Sequence, residues 1–129
     1  MNDGRAYVTG QARGDDLKRR TKAFALRIIR LYGTLPKSSV EAQVIGKQLL
    51  RSGTSVGAHY REASRARSPR EFVSKLEGGL QELEETVYWL ELLVEAGIVS
   101  TAKMAEILPE ANELLAILTA SAKTAKSRL

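Results

Sequence analysis

The chain has no cysteine. Disulfides, zinc–thiolate sites and thiol nucleophiles are therefore excluded. It has a single histidine, three prolines and few aromatic residues, 5% of the whole. One imidazole cannot by itself build a metal site, which needs a cluster of ligands. Scarce aromatics, with abundant Leu and Ala, argue against a β-sandwich and for helices. No apolar run approaches the ~18 residues that would span a membrane, and no secretory leader is visible. A cytoplasmic protein with no membrane partner and no cofactor is expected.

What is present fits one domain. The 129 residues are 43% apolar, enough to bury somewhat over ~60% of the unfolded chain's surface around a single core. The net charge is +5, but residues 1–70 carry 15 Lys/Arg against 5 Asp/Glu, whereas residues 71–118 carry 2 against 10. The tail from Thr119 adds 3 Lys/Arg and no acid. A basic part of this kind can face nucleic acid. It can equally face the acidic part, within the chain or across a subunit boundary.

Residues 1–14, with three glycines and no periodicity, read as a flexible arm. Asp15–Asp16 suits a helix start. Leu17, Thr21, Phe24, Ile28, Leu31 and Leu35 then repeat at 4-3-4-3-4, one seam of a bundle, with Pro36 as the stop. Ser38 or Ser39 caps a second helix. Ser68, Pro69 and Glu71 form a strong third start. Phe72, Leu76, Leu80, Leu83, Val87, Leu90 and Val94 are its expected inner stripe, and Gly97 its stop. Ser100 caps a fourth helix with the stripe Met104, Leu108, Ala111, Leu115, Leu118, Ala122 and Ala125. Pro109 predicts a kink there, or a handover between two helices. The expected fold is all-α: an antiparallel up-down-up-down four-helix bundle over residues 15–129, with helices near 15–35, 38–66, 69–96 and 100–126.

The stretch LLRSGTSVGAHYREA, residues 49–63, poses a choice between a loop with chemistry and a helix needing small side chains. On a helical wheel Ala42, Ile45, Gly46, Leu49, Ser52, Gly53, Val56, Gly57, Tyr60 and Ala63 share one face. Three mid-helix glycines cost roughly 3 kcal/mol. Close approach of a neighbouring helix, or of a bulky side chain such as Trp89, can offset that loss. GTSVG lacks the G-x-x-x-x-G-K-[ST] of a phosphate loop. Ser52 or Ser55 with His59 and Glu62 imitates a nucleophile, base and orienter, but Ser55 and His59 lie one turn apart with no strained elbow. The seven glutamates of helix three lack the Glu-x-x-His pairs of a di-iron bundle. No catalytic or metal residue is assigned, and no enzyme activity is expected. Tyr88, Trp89 and Leu92, with Ile29, are candidates for an oligomer interface.

Three motifs carry a family resemblance: R-S-G-T-S-V-G-A-x-Y-R-E-A at 51–63, S-x-x-E-F-x-x-K-L at 68–76 and E-L-E-E-T-x-Y-W-L-E-L-L at 82–93. In this order and spacing they resemble the four-helix-bundle proteins encoded in intervening sequences of bacterial large-subunit ribosomal RNA. The same fold includes the accessory variability protein (Avd) of diversity-generating retroelements. The resemblance extends more loosely from Asp16 to Lys126, and His59 stands where the family usually has asparagine. It implies a homopentameric ring without catalytic activity. For the retroelement branch it implies binding to nucleic acid and to a reverse transcriptase. Lys18, Arg19, Lys22, Arg27 and Arg30 on helix one are the candidate contacts to RNA or DNA phosphates. So are Arg61, Arg65, Arg67 and Arg70 near the second turn, and Lys123, Lys126 and Arg128 in the tail. The rival expectation is a protein–protein adaptor whose charge split serves docking on a neighbouring subunit or another protein.

Overall fold

The chain is described here by a computed structural model covering residues 3–129, with side chains from Arg13 onward. Four helices follow one another: α1 (Asp3–Gly33), α2 (Val40–Ser64), α3 (Pro69–Glu95) and α4 (Thr101–Ser127). Among the described residues there is no strand, and no helix is long and apolar enough to cross a membrane.

Three of the four starts are set by serine. Ser39 rather than Ser38 caps α2, accepting from the Ala42 amide at 3.1 Å. Ser68 accepts from the Glu71 amide at 3.1 Å, and Glu71 reaches back to the Arg67 amide at 2.6 Å. Pro69 occupies the first position of α3, where a missing N–H costs nothing. Ser100 accepts from the Lys103 amide at 3.3 Å. At the far end of α3, Gly97 takes φ 73°. Its amide bonds Val94 at 3.1 Å and the Ile98 amide bonds Leu93 at 3.0 Å, a Schellman stop.

Two boundaries differ from expectation. α1 begins at Asp3, so Asp15–Asp16 lies inside a helix. Extending a formed helix adds one hydrogen bond per residue fixed, whereas a capping pair only marks where a start is cheap. Met1 and Asn2 of the expected arm lie outside the described residues. α4 runs as one helix through Pro109. Pro109 is exposed, so the lost hydrogen bond falls on the solvent side, where water can satisfy the freed carbonyl.

The core follows the α1 seam as expected: Leu17, Thr21, Phe24, Ile28, Leu31 and Leu35 are all buried. The small-residue face of α2 is buried as expected too, except half-buried Ile45. A Cβ on Gly53 would lie 2.8 Å from Ile28, and one on Gly57 3.1 Å from the Thr21 hydroxyl; Gly46 likewise abuts Tyr32 and Leu35. The glycines of α2 therefore admit α1, and not Trp89. As numbers rise along α2, the α1 partners fall. On its other side α2 meets α3, where Ser52 and Thr86 share a buried hydrogen bond of 2.8 Å.

Two stripes are rotated. On α3 the deep positions are Val73, Leu76, Gly79, Leu83, Thr86, Leu90 and Leu93. Phe72, Leu80, Val87 and Val94 are half-buried at the flank. On α4, Ile107 and Leu114 are buried where Leu108 and Leu115 were expected. The cause on α3 is close packing against α2, which requires Gly79 and Thr86, rather than bulky residues, at the contact.

Candidate nucleic-acid interface

Four arginines without an acidic partner among the described residues gather at one end of the bundle. The turn between α2 and α3, residues 65–68, lies there, and Arg61, Arg65, Arg67 and Arg70 around it are all exposed. The C-terminus of α4 reaches the same end: Arg70 and Leu129 line one groove, and Lys126 pairs with Glu77. A second groove of about 710 Å³ holds Arg13, Tyr60, Phe72 and Arg128. Burial, then the nearby Asp15 charge, raises the Tyr60 phenol above its ordinary range, so it stays neutral. Among the described residues no acid pairs with Arg61, Arg65, Arg67, Arg70, Lys123 or Arg128.

The helix-one candidates sit elsewhere. Lys18 is half-buried, and Arg19 pairs with Asp16 at 3.2 Å. Lys22, Arg27 and Arg30 are exposed along the side of the bundle, and Arg27 and Arg30 share a groove with Lys103. The candidates thus form two sets, one at an end and one along α1.

The interface candidates also separate. Ile29 is 47% exposed and Tyr88 54%. Leu92 is half-buried, and so is Trp89, which packs on the core while its indole donates to Glu85 at 3.3 Å. On the helices, three exposed apolar residues were not anticipated from the sequence: Leu26 (41%), Val40 (71%) and Val44 (58%). Their signal was present: each falls outside the stripe that its helix buries.

Two arginine-centred charge clusters were missed as well. Arg20 bonds Glu110 at 2.8 Å and reaches Glu113 at 3.2 Å, bridging α1 to α4. The hydrogen bond to Glu110 raises the guanidinium pKa, against desolvation, so the charge is fixed. Arg51 holds Glu82 at 3.0 Å and pairs with Glu85 across the α2–α3 groove. An arginine one turn from Leu17 and Phe24 borders the seam, which is how Arg20 could have been found.

The hydroxyls near His59 point to the backbone. Ser55 donates to the Arg51 carbonyl at 2.6 Å. The His59 ring lies against Gly78 and its Cβ against Gly79, with Nδ1 3.3 Å from Glu62. Among the described residues no three His, Asp or Glu side chains converge as a metal site would require.

Comparison with known proteins gives a consistent result. The model of a family described as 23S rRNA-intervening sequence protein matches residues 16–120. A similar solved structure comes from Bacteroides thetaiotaomicron VPI-5482, a protein with unknown function from the S23 ribosomal protein family. It shares 37% identity and a TM-score of 0.79, over 85% of this chain and 97% of its own. No functionally curated protein matches the chain.

Proposed function

The chain belongs to the 23S rRNA-intervening sequence protein family, and from that premise we propose that it is a non-enzymatic, oligomeric nucleic-acid-binding protein. The observation that carries this reading is the basic end of the bundle, where Arg61, Arg65, Arg67 and Arg70 are exposed around one turn and pair with no acid among the described residues. Arginine in that state offers a planar fork matched to phosphate oxygens. Contacts of this kind position a nucleic acid without reading its sequence. The chain has no stacking-aromatic RNA motif. In an up-down-up-down bundle assembled as a ring, pentameric as the family resemblance implies, each basic end recurs around one axis. Weak contacts then add through effective concentration.

The test is the triple variant Arg65→Gln/Arg67→Gln/Arg70→Gln with labelled structured RNA. Affinity falls, and the slope of log affinity on log salt becomes shallower by about 0.7–0.9 for each phosphate that is no longer neutralised. An unchanged affinity and slope contradict the reading. DNA as competitor then distinguishes the two nucleic acids.

A further inference from the structure

We propose that copies of this chain join head to tail, the basic outer stripe of α1 docking on the acidic outer stripe of α3 of the next copy. This rests on the oligomeric part of the reading above and names the two faces that meet. On α1, Lys22, Leu26, Ile29 and Arg30 lie opposite the buried seam and are all exposed. On α3, Glu84, Tyr88, Glu91 and Glu95 do the same. Each stripe sets apolar surface between charges of one sign; the α1 stripe spans just over two turns, about 12 Å at 1.5 Å per residue, and the α3 stripe about three turns, roughly 16 Å. Among the described residues none of these charges has an ion-pair partner within the chain, whereas Arg20, Arg51 and Lys126 all do.

The topology decides the mode of docking. Among the described residues α1 and α3 make no contact with each other, because α2 and α4 lie between them. Their outer faces therefore point away from one another and cannot form a single patch. An isologous pair would set either three glutamates or two cations against copies of themselves, at a repulsive cost. Only a head-to-tail contact satisfies both stripes, and such a contact closes into a ring or extends as a filament.

Tyr88 is the anchor on the acidic side, being large, amphipathic and more than half exposed. Val44 widens the patch. Arg51 grips Glu85 across the α2–α3 groove; Val44 lies two turns before Arg51 and Leu92 two turns after Glu85, so both border that groove at one level. Docking takes up Lys22 and Arg30 between subunits, leaving the basic end as the nucleic-acid surface.

The experiment measures solution mass by light scattering at moderate ionic strength, on full-length chains checked for helical content. Lys22→Glu/Arg30→Glu lowers the mass toward the protomer, and so does Glu84→Lys/Glu91→Lys. The chain carrying all four reversals regains the native mass, because each stripe has exchanged sign. Tyr88→Ser, which alters no charge, also dissociates the assembly. The proposal is overturned if the native chain is a protomer, if either pair or Tyr88→Ser leaves the mass unchanged, or if the fourfold reversal fails to restore it. RNA affinity of the Arg65/Arg67/Arg70 variant is read separately, so failure of the docking faces and failure of nucleic-acid binding are told apart.

Discussion

The α2–α3 contact and the α1–α4 contact are held by different means. α2 and α3 meet over the most extensive helix pairing of the molecule, and α1 and α4 over the least. Between α2 and α3 the His59 side chain packs on Gly78 and Gly79, the buried Ser52–Thr86 bond fixes register, and Arg51 closes the rim. Between α1 and α4, Arg20 spans the seam to Glu110 and Glu113, with a groove toward either end. Shape makes the first contact, and one partly exposed charge cluster bridges the second. A dense interior cannot absorb an added methyl, whereas a solvated ion pair gives up little when broken.

The largest expected effect falls on the other face of α2, where glycines admit α1. Gly53→Val places branched carbon against the buried Ile28 stem, already 2.8 Å from a single Cβ. It lowers unfolding stability by about 3 kcal/mol, read as a shift in the urea midpoint. Thr86→Val keeps the volume but strips the Ser52 hydroxyl of its buried partner. The expected loss is about 1 kcal/mol. Glu110→Gln leaves Arg20 with Glu113 and costs below about 1 kcal/mol, less still at high salt. A loss at Glu110 larger than that at Thr86 would reverse the comparison. Gly33→Ala is the smallest change: nothing lies within 4 Å of the added carbon, so the variant gains a few tenths of a kcal/mol, up to about 1. All four are compared at one protein concentration, since assembly feeds into apparent stability.

Legibility in the sequence follows the same division. The α1 seam and the α2 small-residue face were readable because one period and one residue class agreed at every turn. The partner of the α2 glycines was not, since a glycine announces close approach without naming what approaches; Ile28 and Thr21 fill that role and Trp89 does not. The α3 stripe was displaced because counting bulky residues favours Phe72, Leu80 and Val87, whereas contact with α2 selects Gly79 and Thr86. At the candidate site the residue types were legible and their grouping was not. Arg61 through Arg70 are neighbours in sequence, but only the fold brings Arg128 to the same end and leaves Lys22 and Arg30 on the side.

The central claim is that the basic end, rather than the side of α1, carries nucleic acid. It is tested most directly by RNA binding across a salt series for two variants, Arg65→Gln/Arg67→Gln/Arg70→Gln and Arg19→Gln/Arg27→Gln, the second taken from exposed α1 candidates outside the docking stripe. The account predicts a weaker affinity and shallower salt slope for the first, at unchanged solution mass, and a native slope and mass for the second. A native slope in the first variant, or no RNA binding by the native chain at low salt, would contradict it.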